Sequence, residues 1–251
     1  MEREADMRIA VISDVHGNLP ALHAVANHWG TVDAVWNLGD LVGYGPEPNE
    51  CIAFVHGLPD QVSIIGNHDL AALGAIDIAE FNPIAAAAAN WTQRALDANS
   101  VEFLQSLPQS VIIGDKTIVH GSLRDPIWEY LMDDEAALAT FELMTTRVCF
   151  VGHSHVPLSF VETSDTETSS SLLSHGSRVV LDDRHVIINP GSVGQPRDGD
   201  PRASYGILED AESSTSIFTL RRVHYPVEET QRRMRRARLP AALADRLSRG
   251  R

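Results

Sequence analysis

Apolar residues fall into short runs that alternate with segments of helical spacing. Residues 8–13 form one such run bounded by turn residues, and 20–29 follow with Leu22, Val25, Ala26 and Trp29 on one helical face. The unit recurs: 34–38 predicts a strand, a Gly/Pro-rich loop follows, 49–56 reads as helix, and 62–65 as strand again. Such β-α-β alternation implies an α/β protein with a mostly parallel sheet covered by helices.

From about residue 70 to 107 the pattern turns to alanine-rich helix, with Pro83 at an early helical position before 84–96. This stretch reads as a helical insertion. Residues 110–114 and 116–119 predict two strands joined by a tight turn at Gly114-Asp115, and 134–145 a further helix. Residues 148–151 and 158–161 return to strand. The Ser/Thr/Asp/Glu stretch 163–171 has almost nothing to bury and reads as an exposed hairpin tip. Strands at 179–181, 186–188, 204–208 and 216–220 complete a β-rich second half.

With 43% hydrophobic and 22% charged residues, the composition is that of a soluble globular protein. No apolar run approaches the roughly 18 residues of a membrane span, so no membrane partner is expected. The stretch 1–7 is acidic and lacks the apolar region of a secretory signal, which places the expected location in the cytoplasm. Cys51 and Cys149 sit in apolar stretches without partners at metal-ligand spacing and read as buried free thiols. A formal net charge of −14 opposes binding along a phosphate backbone, so long nucleic acid is a poor substrate. Residues 227–251 differ, carrying eight arginines against Glu228, Glu229 and Asp245. A solvated helix and frayed tail is the favoured reading; docking onto an acidic patch of its own chain or of a partner is the alternative.

The chemistry lies just past the strand ends. Asp14 and His16 follow the first strand, Asp40 the second, Asn67 and His68 the third, His120 the strand ending at Val119, and His153 and His155 the strand ending at Val151. In open α/β sheets that edge is where ligands collect. Glycine accompanies each, as in His16-Gly17, Gly39-Asp40, Gly66-Asn67, His120-Gly121 and Gly152-His153, and permits the positive-φ turns such loops need. Imidazole with carboxylate suits divalent Mn, Fe, Ni, Co or Zn better than Ca or Mg, with Mn favoured. Two Asp, four His and one Asn exceed what one ion usually takes, so two ions fit better than one. Singly, each His could be a hydrogen-bonded loop residue and each Asp a helix cap or turn former. Four His at matching strand ends outweigh that reading. His23, His28, His56, His175, His185 and His224 are given surface or packing roles, and Asn18 a capping role.

Together, Asp14-Val-His16, Gly39-Asp40, Gly66-Asn-His-Asp69, His120-Gly121 and Gly152-His-Ser-His155 resemble the signature of the calcineurin-like metallophosphoesterase superfamily, in that family's order. The resemblance implies one metallophosphoesterase domain over 1–251, built as a four-layer α-β-β-α sandwich of two mixed sheets. It also implies one ion held by Asp14, His16, Asp40 and His155 and a second by Asp40, Asn67, His120 and His153. The expected reaction is in-line attack of metal-activated water or hydroxide on phosphorus, without a covalent phosphoenzyme. By resemblance His68 would act at the leaving oxygen, as acid or transition-state stabiliser, with Asp69 orienting its ring.

The segment from Asn189 to Gly194 and on to Asp200 resembles one that runs beside the metal site in bacterial members, which makes Arg197 a candidate for bidentate anion contact. Asn67 and Tyr44 are further candidate substrate contacts. After Asp40 the chain has Leu41 where protein phosphatases and dinucleoside tetraphosphatases of the family have Arg. A small-substrate phosphodiesterase is therefore the expectation. A phosphomonoesterase on nucleotides or sugar phosphates is the alternative, and a metal-free interaction scaffold a remoter one, because all seven donors and His68 are present. Oligomeric state is not legible in the sequence.

Overall fold

Twelve strands form two mixed sheets in the computed structural model, which describes residues 6–211 and 215–251; residues 1–5 of the acidic stretch lie outside the described residues. In chain order these are β1 (Met7–Ile12), β2 (Ala34–Asn37), β3 (Gln61–Ser63), β4 (Ser110–Ile113), β5 (Lys116–Val119), β6 (Val148–Phe150), β7 (Leu158–Ser164), β8 (Glu167–Leu172), β9 (Arg178–Leu181), β10 (Val186–Asn189), β11 (Ala203–Asp210) and β12 (Ser216–Val223). One sheet has the order β3-β2-β1-β11-β12-β9, the other β4-β5-β6-β10-β7-β8. Pairing is parallel for β1 with β2, β2 with β3, β5 with β6 and β6 with β10, and antiparallel in the other ladders. The sheets are thus mixed rather than mostly parallel as the opening alternation implied. Hairpins such as β7-β8 and neighbours such as β11-β12 supply the antiparallel ladders, and apolar periodicity alone does not reveal pairing direction.

The period-two alternation of each strand explains the layering. On β1, Ile9 and Val11 face the opposing sheet and share one apolar cluster with Trp36 and Phe218 of their own sheet and with Ile118, Phe150 and Ile188 of the other. Ala10 and Ile12 point the other way, onto Leu22 and Val25 of α1 (Leu19–His28) and Ile52 and Val55 of α2 (Pro48–His56). In the second sheet Cys149 and Val151 pack on Ala137 and Phe141 of α6 (Asp134–Leu143). Helix, sheet, sheet and helix make the four layers, and both cysteines are buried free thiols packed on the helical sides.

The helical segment opens at α3 (Asn67–Ala72), one turn earlier than the apolar pattern predicts, and continues through α4 (Pro83–Ala95) and α5 (Ala98–Ser106). Asn82 caps α4 by accepting from the amides of Ile84 and Ala85. The exposed hairpin tip is the turn at Asp165-Thr166, but the Ser/Thr-rich residues after it form the edge strand β8, held to β7 by backbone pairing. Its near-complete exposure left no apolar signal to read.

The basic segment is not a solvated helix with a frayed tail. Its helices α7 (Val227–Arg236) and α8 (Ala241–Leu247) bury Met234, Leu243, Ala244 and Leu247 against Tyr44, Ala85 and Ala88. Arg233 pairs with both Glu47 and Glu229, so part of the charge docks onto the chain's own acidic groups. Arginines mask this apolar face in the sequence. Among the described residues no helix is long and apolar enough to cross a membrane.

Lys116, the one lysine, ties the two sheets together at the end remote from the strand C-termini. It is 6% exposed on β5 and pairs with Asp115 at 2.5 Å and with Asp210 of β11 at 2.8 Å. Burial pushes Asp115 up, but its bonds to Lys116 and Arg147 more than offset this and hold it below the usual carboxylate value. Such stabilisation is complete above the unfolded pKa of about 3.9 and is lost as pH falls through the depressed folded value. Lys116→Met is expected to lower unfolding free energy by about 2 kcal/mol. Denaturant melts at pH 7 and at acid pH should also show a shallower acid loss in the variant than in the wild type.

Candidate metal centre

The parallel strands of both sheets end at one edge, and their loops interlock there. The Asp14 amide donates to the Gly39 carbonyl at 3.1 Å, Gly152 to His120 at 2.8 Å, and Gly194 to Asp14 at 3.0 Å. All seven donors expected from the sequence meet at this edge, and all are buried. Their ligand atoms form two groups, Asp14 with His16 and His155, and Asp40 with His120 and His153. Asn67 joins the second, its Oδ1 lying 3.1 Å from His120 Nε2.

Each carboxylate divides its oxygens between two tasks. Asp14 Oδ2 accepts from the Ser13 hydroxyl at 2.6 Å and from the His153 amide at 3.2 Å. Its Oδ1 has no hydrogen-bond partner and faces His155 Nε2 at 3.1 Å and His16 Nε2 at 3.7 Å. Asp40 Oδ1 accepts from the His68 amide at 2.8 Å, while its Oδ2 is likewise unpartnered, 3.3 Å from His120 Nε2 and 3.8 Å from His16 Nε2. Asp40 therefore faces both groups.

The four imidazoles repeat one device. His16 Nδ1 meets the Val42 carbonyl at 2.9 Å, His120 Nδ1 that of Leu38 at 2.7 Å, His155 Nδ1 that of Gln195 at 2.6 Å, and His153 Nε2 that of Trp128 at 3.1 Å. A carbonyl only accepts, so each ring must donate there. That fixes the tautomer of the neutral ring and turns its other nitrogen into the site. Burial pulls His16 and His155 well below the usual histidine range and His153 down to about 4. Burial opposes charge on His120 too, but the Asp40 carboxylate outweighs it and raises that ring to about 9. Burial and the charge of Asp40 raise Asp14. Two buried carboxylates with unpartnered oxygens, ringed by imidazole lone pairs, are a donor set in want of cations, and it fits divalent metal.

Backbone strain is gathered at the same place. Asp14, His16, Asp40, Tyr44, His153 and His155 all have φ between 50° and 65°. Each such conformation costs a non-glycine residue about 1–3 kcal/mol and persists only where its surroundings over-determine it. The left-handed turns are thus taken largely by the donors themselves. Gly66 has φ −109°, so its need is for space: a Cβ there would lie 2.1 Å from Asp40 Oδ1 and 2.6 Å from the Asp40 amide.

Asp69 does not orient His68. Its carboxylate accepts from the amides of Asp40 at 2.8 Å, Gly66 at 3.0 Å and Val42 at 3.1 Å, which locks the Asp40 loop onto the first turn of α3. The Gly66 amide lies in the same helical turn as Asp69, and the Asp40 loop brings two more amides within its reach. The His68 ring instead packs among Tyr44, Phe81 and His16, with centroids 4.3, 4.7 and 4.9 Å away, and its Nδ1 is buried without a partner. Burial draws it down to about 3, so the ring is neutral.

Tyr44 and Arg197 come together beside this group, the Arg197 Nη2 lying 3.5 Å from the Tyr44 hydroxyl. Asn18 caps α1 as expected, accepting from the Ala21 amide. His28 bonds Tyr205, His185 pairs with Glu162 and His175 accepts from the Arg222 amide, so these histidines have structural partners. Sequence reasoning missed the Trp128 carbonyl, the Tyr130 ring stacked 4.0 Å from that of His153, and Phe81. A backbone acceptor carries no sequence signal, and these residues reach the site from connections far along the chain.

The calcineurin-like phosphoesterase superfamily domain describes residues 7–213 of this sequence. The chain belongs to that superfamily. A metallophosphoesterase from Sphaerobacter thermophilus superposes with a TM-score of 0.89 at 46% identity, covering 98% of this chain and 100% of that one. An uncharacterized protein of Methanocaldococcus jannaschii is 40% identical over 97% of this chain and 98% of its own length. A symmetrical bis(5′-nucleosyl)-tetraphosphatase of Aromatoleum aromaticum is 31% identical over 47% of this chain, which spans 45% of that relative. As a calcineurin-like phosphoesterase the chain is a metal-dependent hydrolase of phosphate esters.

Asp69→Ala should strand three buried backbone amides and lower the unfolding free energy by about 3 kcal/mol, read from denaturant melts. Asp69→Asn, which keeps acceptor oxygen, should lose less.

Proposed function

We propose that this calcineurin-like phosphoesterase hydrolyses a small phosphodiester using two divalent ions. The first would be held by Asp14, His16, Asp40 and His155, the second by Asp40, Asn67, His120 and His153. The observation that carries this reading is the fourfold ring-to-carbonyl bonding, which leaves imidazole lone pairs facing the unpartnered Asp14 Oδ1 and Asp40 Oδ2. Mn is the favoured ion. Bound divalent ions supply Lewis acidity toward phosphoryl oxygens and make water acidic enough to act as a nucleophile near neutral pH.

The chain's own residues do the remaining work. His68, neutral and enclosed by Tyr44 and Phe81, stabilises the leaving oxygen by donating an N–H rather than by giving up a proton. Asn67 and Tyr44 flank the reacting group, and Arg197 receives its negative charge. The net charge of −14 supports a small substrate over a long nucleic acid. A phosphomonoesterase is the second reading, favoured by the cationic side chains of Arg197 and Arg246 near Tyr44, since a monoester carries one more ionisable oxygen than a diester. The tetraphosphatase relatives support a nucleotide among either class.

Chromogenic mono- and diester phosphates, offered to metal-stripped protein with Mn, Ni, Co, Zn or Mg restored singly, test the proposal and rank the two readings. Turnover should return with a transition metal and drop by roughly 10²-fold or more in Asn67→Ala and His68→Ala. Two bound ions by elemental analysis, with no turnover of any ester, would sink it.

A further inference from the structure

Aromatic rings that neither hold ions nor contact phosphate border the donors on one side. The Tyr130 ring lies 4.0 Å from that of His153 at an interplanar angle of 20°, yet Tyr130 is 50% exposed. Its ring is therefore stacked on a donor and otherwise open to solvent. The Trp128 carbonyl holds Nε2 of the same histidine at 3.1 Å, while the Trp128 ring meets that of Phe81 edge to face at 5.6 Å. Phe81 in turn packs on His68 with ring centroids 4.7 Å apart. Neither Phe81 nor Trp128 is fully buried. These contacts link the second donor group to His68, the residue placed at the leaving oxygen.

The connection that carries Trp128 and Tyr130, between β5 and α6, is folded tightly on itself. The Gly121 amide donates to the Pro126 carbonyl at 2.7 Å, and a Cβ on Gly121 would come 2.6 Å from the Asp125 carbonyl oxygen. Asp125 Oδ1 accepts from the amides of Ile127 at 3.2 Å and Trp128 at 3.1 Å. Arg124 Nε donates to Glu129 at 3.0 Å, and Glu129 also accepts from the Ser122 hydroxyl. Arg124, Asp125 and Glu129 are the charged residues of 121–132, and all three are engaged within it. Ile127 and Leu131 are buried, which leaves Trp128, Tyr130 and Met132 as an uncharged outer surface. Aromatic groups held in place this way lose little freedom when something stacks on them.

We propose that Phe81, Trp128 and Tyr130 form a stacking wall for a planar aromatic ring carried on the phosphate ester, so that nucleoside or aryl phosphates are preferred over phosphates of saturated alcohols. This rests on the hydrolase reading for the position of the phosphate. With the phosphate at the donors and its ester oxygen toward His68, the group beyond that oxygen lies against Phe81 and its neighbours. A planar ring offers such a wall a whole face, in offset or edge-to-face contact, whereas a puckered saturated ring of the same size does not.

The test is calorimetric and needs no turnover. Metal-loaded protein is titrated with benzylphosphonate and cyclohexylmethylphosphonate, whose C–P bonds resist hydrolysis and whose rings differ in planarity. Each is offered as the free acid and as the monomethyl ester, to represent a monoester and a diester. The wild type should bind the benzyl ligand about tenfold or more tightly than its saturated counterpart in at least one form. Tyr130→Ala should bring that preference to within about threefold, and Tyr130→Phe should retain it. Trp128→Leu, whose backbone carbonyl still serves His153, should lower it in part. Unchanged metal content and unfolding midpoints show that His153 and the connection remain in place. Phosphonate analogues of AMP and ribose 5-phosphate assign the ring: a matching preference for the AMP analogue gives the wall to a nucleobase, and its absence to an aryl group on the ester oxygen. Equal wild-type affinity for the benzyl and cyclohexylmethyl ligands, an unchanged preference in Tyr130→Ala, or a proportional loss for both ligands would each overturn the proposal. So would self-association of the wild type in sedimentation that Tyr130→Ala abolishes, which would give the surface to a second copy of the chain. Failure of the hydrolase reading would appear separately, as absence of ester turnover in wild-type protein that still shows the benzyl preference.

Discussion

Two carboxylates are buried side by side, each with one oxygen that no protein group satisfies, and the architecture of this edge follows from that. A desolvated carboxylate oxygen without a partner is costly, and two in proximity more so, the charge of Asp40 adding to burial in raising Asp14. Of the surrounding imidazoles only His120 is drawn toward the charged form, by Asp40, while burial keeps His16, His153 and His155 neutral. They present lone pairs instead. Donors arranged that way are compatible with one another only around cations, and positioning them draws in the six strained backbones, the absent side chain at Gly66 and the three amides collected by Asp69.

The sandwich makes this arrangement affordable by dividing it. Asp14, His16, Asp40 and Asn67 hang from the ends of β1, β2 and β3 in one sheet, while His120, His153 and His155 hang from β5 and β6 in the other. Each group of donors therefore spans both sheets. The apolar layer between them, with Trp36, Phe150 and Phe218 at its centre, fixes their separation, and Lys116 pins the opposite end. Core packing and the chemistry of the edge are coupled in consequence: a shift of one sheet against the other would move part of each donor group relative to the rest.

Beyond the donors lies a ring of aromatic and cationic groups with a different origin. Phe81 belongs to the helical segment, Tyr130 to the connection before α6, and Arg197 to the loop after β10. The donors occupy strand ends that the fold requires in any case, whereas these outer residues sit on elements added around the sheets. That division matches a shared reaction with variable substrates, in which loops and helices adapt while strand ends stay fixed.

Within the sequence alone, the alternation of apolar runs determined most strands and helices, and polar residues following those runs with glycine beside them marked the seven candidate donors and His68 that the fold gathers at one edge. Such features are local, set by the next few residues, and so they are legible one segment at a time. Tertiary structure alone decided what depends on distant segments meeting. It joined the strands into mixed sheets, gave the Ser/Thr-rich stretch a place as edge strand β8, and turned Asp69 from His68 toward the amides of Asp40 and Val42. It also folded the arginine-rich segment back over Tyr44, where Met234 and Leu247 bury an apolar face that its charges had concealed. Hydrogen bonds to backbone carbonyls and the approach of Arg197 to Tyr44 leave no trace in residue order, because they arise from the packing of surfaces rather than from the period of a chain.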